Sequence, residues 1–447
     1  MEARAPFVGR TAEIEHVLQH INGLCYGATP QLCLVNFCGV YGIGKSALLA
    51  ELAERTEGYA DVFGLSLQLP ALPVGAKTTP LDARQAIIRQ LHPHDGELPP
   101  DNAAADGALA ACAAALLRRR QPILLLIEAE ARHAALSFGW IERGLLLPLV
   151  RANRLVAVVT SHTPLRWREL DTRRRAESRI LQPLNLAETA LQLGGGSNAA
   201  TAIYRLTMGL PLANAVAQHV LLEVAEPEGW DQSLQVALLQ RSVDAIYARI
   251  GPELTRELRF ALEALAVVRE FAIPLLQRLF NSCDLPGQSR SQAAQLMMVR
   301  QLQELDLVVW DQTNNAWRVV PLLRSLLAQL LRLKHPAHYA ALQRLACDYY
   351  RQMLDDVIVA RHIHVAELFW HTIESQQHNG TTADEVLRDL VQRYLVSPDG
   401  QQVDSAALYA LRDRLLQDAE QPQHVFGQME DLTTLVALLD QTATERW

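Results

Sequence analysis

The chain has 447 residues, 49% of them hydrophobic and 20% charged, enough apolar material for the cores of roughly three domains of ordinary size. A formal net charge of -8 argues against a protein that coats nucleic acid. No signal-peptide pattern opens the chain and no run approaches the roughly 18 apolar residues of a membrane span; the six cysteines show no metal-ligand spacing. These features predict a cytoplasmic protein with no membrane partner.

Phe7-Val8-Gly9-Arg10 leads the patterned part, and Thr11 reads as the N-cap of a helix whose buried face is Ile14, Val17, Leu18 and Ile21. An apolar run at residues 32–37 precedes Gly39-Val40-Tyr41-Gly42-Ile43-Gly44-Lys45-Ser46, and Ala47-Leu48-Leu49 follows it. Strand, glycine-rich turn and helix start come in the order that a phosphate-binding loop requires. The glycines let backbone N–H groups turn inward toward phosphate oxygens. Lys45 offers a point charge to the β- and γ-phosphates and Ser46 a hydroxyl to Mg²⁺, while the helix start adds its positive dipole end.

Residues 62–67 read as a second strand, 70–80 as a loop, and 81–91 and 103–119 as helices. Residues 123–127 are continuously apolar and end in Glu128-Ala129-Glu130. Such a run suits a parallel strand covered on both faces, and an acid at its carboxyl end lies where open α/β sheets bind ligands. Glu128 there reads as the group that orients Mg²⁺ and an attacking water, the alternative being a solvated acidic turn. A helix over 138–150 leads to a strand over 155–160 that ends in Ser161-His162, groups that read equally as γ-phosphate sensors or as strand-end caps. Arg173-Arg174-Arg175 reads as a solvated linker, and Ile180-Leu181 as the fifth strand.

Helices over 199–208 and 212–224 flank Gly209-Leu210-Pro211. Leu254, Leu258, Leu262 and Leu265 repeat at helical spacing; helices over 273–280 and 292–305 follow, then a hairpin over 307–310 and 317–320. Three helices and a hairpin make a winged-helix pattern. Its helix over 292–305 carries Arg300 as its lone cation, which favours a protein-packing wing over a DNA reader. Residues 339–354, 357–373, 383–395, 406–416 and 432–439 read as helices without a strict repeat. His364, Glu367 and His371 share one helix face, where packing is favoured over metal binding.

These features together resemble the STAND class of signal-transduction P-loop NTPases, AAA+-related proteins that include NB-ARC and NACHT modules. The resemblance covers about residues 5–335 and rests on Phe7-Val8-Gly9-Arg10, the phosphate loop, the acid-tipped strand, Val159-Thr160-Ser161, Leu181-Gln182-Pro183-Leu184 and Gly209-Leu210-Pro211-Leu212. It implies an α/β P-loop domain, a parallel sheet with helices on both faces, over residues 1–185. A helical lid (186–240), a winged helix (241–335) and an all-α, TPR-like C-terminal region (336–447) would follow. It implies ATP or ADP bound with Mg²⁺ by Val8, Arg10, Gly39, Gly42, Ile43, Gly44, Lys45, Ser46 and Ala47, with Pro211 packing on the base. Lys45 and Glu128 would be the catalytic pair, and Ser46 and Glu128 the metal-side residues.

The chain departs from the family pattern at three places: Glu128 stands for the usual aspartate, His162 for an arginine, and Val320 for a histidine before Pro321. A slow ATPase at most is therefore expected. The function implied is a nucleotide-controlled signalling or defence switch that opens and homo-oligomerises with ATP. With six residues before Phe7, its effector is expected in trans, and no nucleic-acid partner is expected. The alternatives are a winged-helix DNA-binding regulator or origin-recognition-like ATPase, and a nucleotide-holding scaffold without turnover.

Overall fold

A computed structural model describes residues 7–27, 31–57, 59, 61–69, 80–91, 100–129, 138–194, 199–223, 230–282, 291–356, 361–376, 382–396 and 404–420. The chain divides into two compact units. The first comprises residues 1–229, 244–254 and 304–306, the second residues 230–243, 255–303 and 307–447.

The first unit is built on a parallel sheet of five strands in the order β2-β3-β4-β1-β5. These are β1 (Leu34–Cys38), β2 (Phe63–Leu69), β3 (Ile123–Ala129), β4 (Leu155–Ser161) and β5 (Ala176–Ile180). The central strands β1 and β4 are buried at every residue, which is why their sequences are apolar without alternation. Helices α1 (Thr11–Cys25), α2 (Lys45–Thr56) and α3 (Pro80–Leu91) pack on the sheet, and α4 (Asn102–Arg118) packs against α3. After β3, α5 (138–141), a π-helical turn (Glu142–Leu146) and α6 (Leu147–Arg151) run without a break. The lid consists of α8 (Leu186–Gln192), α9 (Ala199–Thr207) and α10 (Pro211–Glu223), following the short α7 (Leu170–Arg174) and β5.

An amide lies in the middle of this largely apolar sheet. Asn36 of β1 is fully buried. Its Nδ2 donates to Val159 O (3.1 Å) and Ser161 Oγ (2.8 Å), and its Oδ1 accepts from Leu165 N (3.0 Å) and Ser178 Oγ (3.2 Å). All four hydrogen-bonding positions of the amide are used, so three strands and the loop after β4 are tied at one point. Glu142, also fully buried, accepts from Arg168 N, Glu169 N and Thr172 Oγ1.

The second unit takes in most of α11 (Gln232–Ile250), whose remaining turns count with the first. It then holds α12 (Arg256–Leu265), α13 (Ile273–Ser282) and α14 (Gln292–Glu304), followed by the antiparallel hairpin β6 (Val308–Asp311) and β7 (Ala316–Val319). This is a winged helix, with Trp317 of the wing bridged to Phe271. An all-α region follows: α15 (Pro321–Lys334), α16 (Pro336–Asp356), α17 (Arg361–Gln376), α18 (Ala383–Tyr394) and α19 (Ser405–Glu420). Glu367 of α17 is 1% exposed and ion-paired to Arg269 (2.7 Å) and Arg414 (2.9 Å), and Arg414 also reaches Glu270 (3.0 Å). No described helix is long and apolar enough to cross a membrane.

Several sequence expectations shift. Thr11 is the first helical residue rather than the cap; Arg10 occupies the cap position with φ 62° and no side-chain cap bond. Leu24 takes a place on the buried face, whereas Leu18 is half-buried. The fifth strand is Ala-Glu-Ser-Arg-Ile, upstream of the expected Ile180-Leu181, because an edge strand needs only one buried neighbour and can be polar. Arg175 is a structural residue rather than a solvated one, its Nη1 donating to Val150 O at 3.0 Å. Helices α11 and α15 carry no separate expectation, α15 being capped by Val320 with Pro321 at its first position. The expected helix over 432–439 and most of the loop over 70–80 lie outside the described residues. The face of His364, Glu367 and His371 is a packed one, with Glu367 committed to two arginines.

Replacing Asn36 by leucine is expected to cost about 2–4 kcal/mol in urea denaturation, because it removes the acceptor of the Leu165 N–H and the donor to Val159 O and to the buried Ser161 hydroxyl. His371 gives a second test. Its Nδ1 lies 2.6 Å from Gln343 Oε1, and burial, ahead of the nearby charges, pushes its pKa down to about 4. The folded state therefore keeps this ring neutral at pH values where the unfolded chain protonates it. Stability is full above the ordinary histidine range and falls as pH drops from about 6.5 toward 4, by up to about 3 kcal/mol. Denaturation at pH 7 and pH 4.5 should show that loss, and His371→Gln should reduce it.

Candidate functional site

The site lies at the carboxyl ends of β1, β3 and β4. Gly39 N donates to Ser161 O at 3.1 Å, which fixes the start of the loop against β4. The loop then turns through Gly42 (φ 81°) and Gly44 (φ 98°), left-handed conformations that glycine adopts without strain. Ile43 is fully buried and anchors the turn. Helix α2 starts at Lys45, with Leu48 N bonded to Gly44 O at 2.9 Å and Ala47 half-buried in its first turn. The remaining first-turn N–H groups point out of the helix start, as a phosphate-binding loop requires. Lys45 Nζ donates to Gly39 O (2.7 Å) and Val40 O (3.1 Å), so its ammonium lies over the loop.

Glu128 and Ser46 meet directly. The Ser46 hydroxyl donates to Glu128 Oε1, while Gln68 Nε2 lies 3.4 Å from Oε2. Gln68 is in register with Glu128 across β2 and β3. Its backbone is clamped by Gln90, which accepts from Gln68 N and donates to Gln68 O, both at 2.7 Å. A hydroxyl and a carboxylate converging in this way form the hard oxygen donor set that Mg²⁺ takes, so the residues fit that ion. Glu130 lies outside the described residues.

His162 packs against Tyr41, with ring centroids 3.9 Å apart and the ring planes tilted by 39°, and Lys45 Nζ lies 5.9 Å from the Tyr41 centroid. Burial, then the Lys45 charge, holds the His162 pKa well below the usual range; the ring is neutral at pH 7, unlike the arginine expected by resemblance. No described residue partners its Nδ1. Arg166 is exposed and the Arg168 guanidinium lies against Gly139. Neither is placed as a substitute beside the loop.

The head segment and the lid close around the loop. Arg10 is buried, donates from Nη2 to Ile43 O at 3.1 Å and pairs with Glu13 at 3.5 Å. Burial lowers its pKa, against the raising effect of Glu13 and Glu188. Val8 is half-buried two residues before it. A Cβ on Gly9 would lie 2.7 Å from Glu188 Oε1, the carboxylate that completes the capping box of α8 with Asn185. Pro211 starts α10, its Cγ 3.9 Å from where a Cβ on Gly44 would stand, and its carbonyl accepts from Gln192 Nε2 at 3.0 Å. Leu212 N donates to Gly42 O at 3.1 Å.

The lid has its own buried amide: Asn214 Nδ2 donates to Gln192 Oε1 (3.0 Å) and Thr189 Oγ1 (3.3 Å), and Oδ1 accepts from Thr207 Oγ1 (2.6 Å). The predicted residues Val8, Arg10, Gly39, Gly42–Ala47, Glu128 and Pro211 thus all belong to the first unit. Val320 belongs to the second, its N–H bonded to Leu307 O at 3.0 Å. Gln68, Tyr41, Glu188 and Leu212 were not foreseen as site residues. Gln68 becomes visible only once β2 is set in register beside β3.

Strand order, the loop between β1 and α2, and the acid-bearing β3 placed beyond β4 define a P-loop NTPase fold. No protein-family model matches the chain, and no curated protein matches it. Solved structures do show similarity. The ORC2 protein of Aeropyrum pernix, in its ADPNP-ADP complexes, is 13% identical with a TM-score of 0.41, over 75% of this chain and 97% of that one. The ORC1 protein of the same organism in complex with DNA is 16% identical with a TM-score of 0.42, over 74% and 94%. A STAND protein with a tetratricopeptide repeat sensor from Pyrococcus horikoshii is 13% identical with a TM-score of 0.27, and the match spans 99% of this chain and 59% of that one. These likenesses are distant, and the fold assignment rests on the strand order and the loop.

The lid hinge offers a direct test. Gly209 has φ 71°, and a Cβ there would lie 1.8 Å from Leu184 O. Gly209→Ala should destabilise the first unit by at least about 2 kcal/mol in denaturant unfolding, since both the backbone angle and the contact forbid a side chain.

Proposed function

We propose that this chain is a STAND-type switch that binds ADP and ATP at the loop Gly39–Ser46 and couples the nucleotide to the position of its lid. The supporting observation is the bond from Leu212 N of the lid to Gly42 O of the loop. Through it, anything that reshapes the loop acts on the lid. Lys45 and the α2 start would take the phosphates, and Ser46 and Glu128 would hold Mg²⁺, which supplies charge neutralisation at the phosphates. Val8, Arg10 and Pro211 would border the base. The domain division of the proposal is 1–185 for nucleotide binding, 186–240 for the lid, 241–335 for the winged helix and 336–447 for the helical sensor. The protein would work in the cytoplasm, oligomerise with ATP and act on an effector supplied in trans.

Turnover would be slow. Glu128 is one methylene longer than the family's aspartate and is engaged by Ser46 and Gln68, and the neutral His162 offers no positive charge to a γ-phosphate. The limiting case is a scaffold that holds nucleotide without hydrolysing it.

Lys45→Ala should weaken ADP binding by about 100-fold or more, roughly 2.7 kcal/mol, in calorimetric titration; unchanged affinity would remove the site from the loop. Identification of the co-purifying nucleotide, with mass measurement in ADP and in a non-hydrolysable ATP analogue, tests the switch. Growth of the assembly on the analogue alone is expected, and an unchanged mass in both would leave the scaffold. The winged helix motivates the origin-recognition-like alternative, in which DNA is the partner. Salt-dependent binding to duplex DNA would favour that function over the switch.

A further inference from the structure

We propose that His16, His20 and Glu177 form a binding site for a divalent transition metal of the zinc class, on the first unit and independent of the nucleotide. Among the described residues these three bring their ligand atoms within 4.8 Å of one another. His16 and His20 are four residues apart on α1, so their rings leave the same face of the helix. Their Nε2 atoms are 3.2 Å apart, close to the roughly 3.3 Å that two nitrogens show when each lies about 2.0–2.1 Å from one tetrahedral ion. Glu177 comes from β5, the edge strand of the sheet, and its Oε1 is hydrogen-bonded to His16 Nε2. Two imidazoles and a carboxylate are ligands that zinc accepts, with water in the fourth position; by the same donor set Co²⁺ and Ni²⁺ bind, more weakly than Cu²⁺.

The proton arrangement shows what the ion replaces. Arg179 Nη2 lies 3.2 Å from His16 Nδ1 and 3.4 Å from Glu177 Oε2, while Arg179 Nε donates to Glu177 Oε1 at 3.2 Å. With Nδ1 accepting from Arg179, the His16 proton resides on Nε2, between the Glu177 carboxylate and the facing His20 nitrogen. An ion at this point takes the place of that proton. The His16 proton then moves to Nδ1, where it can no longer accept from Arg179, and the partly exposed arginine must swing away. Arg179 is thus the competitor of the metal, by charge and by hydrogen bonding. Once seated, the ion would pin α1 to the sheet edge, and the cap position of α1 is Arg10, whose guanidinium donates to Ile43 O of the phosphate loop.

The test uses the full-length protein without a histidine tag, Zn²⁺ titrated calorimetrically and Co²⁺ followed by its visible spectrum. One ion per chain is expected, with tetrahedral Co²⁺ bands and no thiolate-to-metal charge transfer. His20→Ala and Glu177→Gln should each weaken binding by about 10-fold or more, and Arg179→Gln should tighten it, a gain that no merely structural role of Arg179 would produce. Circular dichroism checks each variant for folding, and the Arg179 variant and the Co²⁺ spectrum remain decisive if the histidine variant fails to fold. Absence of stoichiometric uptake, thiolate bands, unchanged affinity in the folded His20 and Glu177 variants, or weaker binding after Arg179→Gln would each overturn the assignment.

Discussion

The first unit depends on one buried amide. Asn36 satisfies its donors and acceptors on β4, β5 and the loop after β4, and it stands two residues before the end of β1. A satisfied polar group inside an apolar sheet has essentially one acceptable arrangement, because any slip of register leaves donors or acceptors without partners at low dielectric. The strand ends that present Gly39, Ser161 and Glu128 are therefore set at defined heights. The glycines of the phosphate loop can then trace their left-handed turns without searching for a place to begin.

On this frame the lid and the head segment are attached by backbone as much as by side chains. Leu212 bonds to Gly42, Leu184 N donates to Gly209 O at 2.9 Å, and Arg10 donates to the carbonyl of Ile43. Backbone contacts of this kind tolerate wide change in side-chain identity. Glycine is required at points such as Gly42 and Gly209, where φ is positive and a Cβ would collide with a neighbour.

Much of this was legible in the sequence. The apolar runs of β1, β3 and β4 announce strands buried on both faces, and glycine spacing before Lys45-Ser46 announces the loop. What escaped was what depends on partners distant in the chain. The polar strand β5 has no pattern of its own, because its order comes from pairing with β1. Gln68 looks like any exposed strand residue until β3 is placed alongside. The histidine at 162 is visible in the sequence, but its contact with Tyr41 and its neutrality arise only from the packed environment. In the second unit the hairpin, with its polar turn between two tryptophan-bearing strands, is plain in the sequence, whereas α11 and α15 carry no expectation of their own.

The buried charges of the second unit carry a consequence for how that unit is assembled. Glu367 faces Arg269 from a distance of 98 residues along the chain and Arg414 from 47. Each of these groups is tolerable in the interior only when the others have arrived. Partial structures that bring Glu367 inside with one arginine still in water are penalised, so the segment between α12 and α13 that carries Arg269 and the last described helix, which carries Arg414, both have to close over α17. The ion cluster thus links regions far apart in the chain: opening at either end leaves Glu367 buried with one of its two arginines gone, and so carries a cost at both ends.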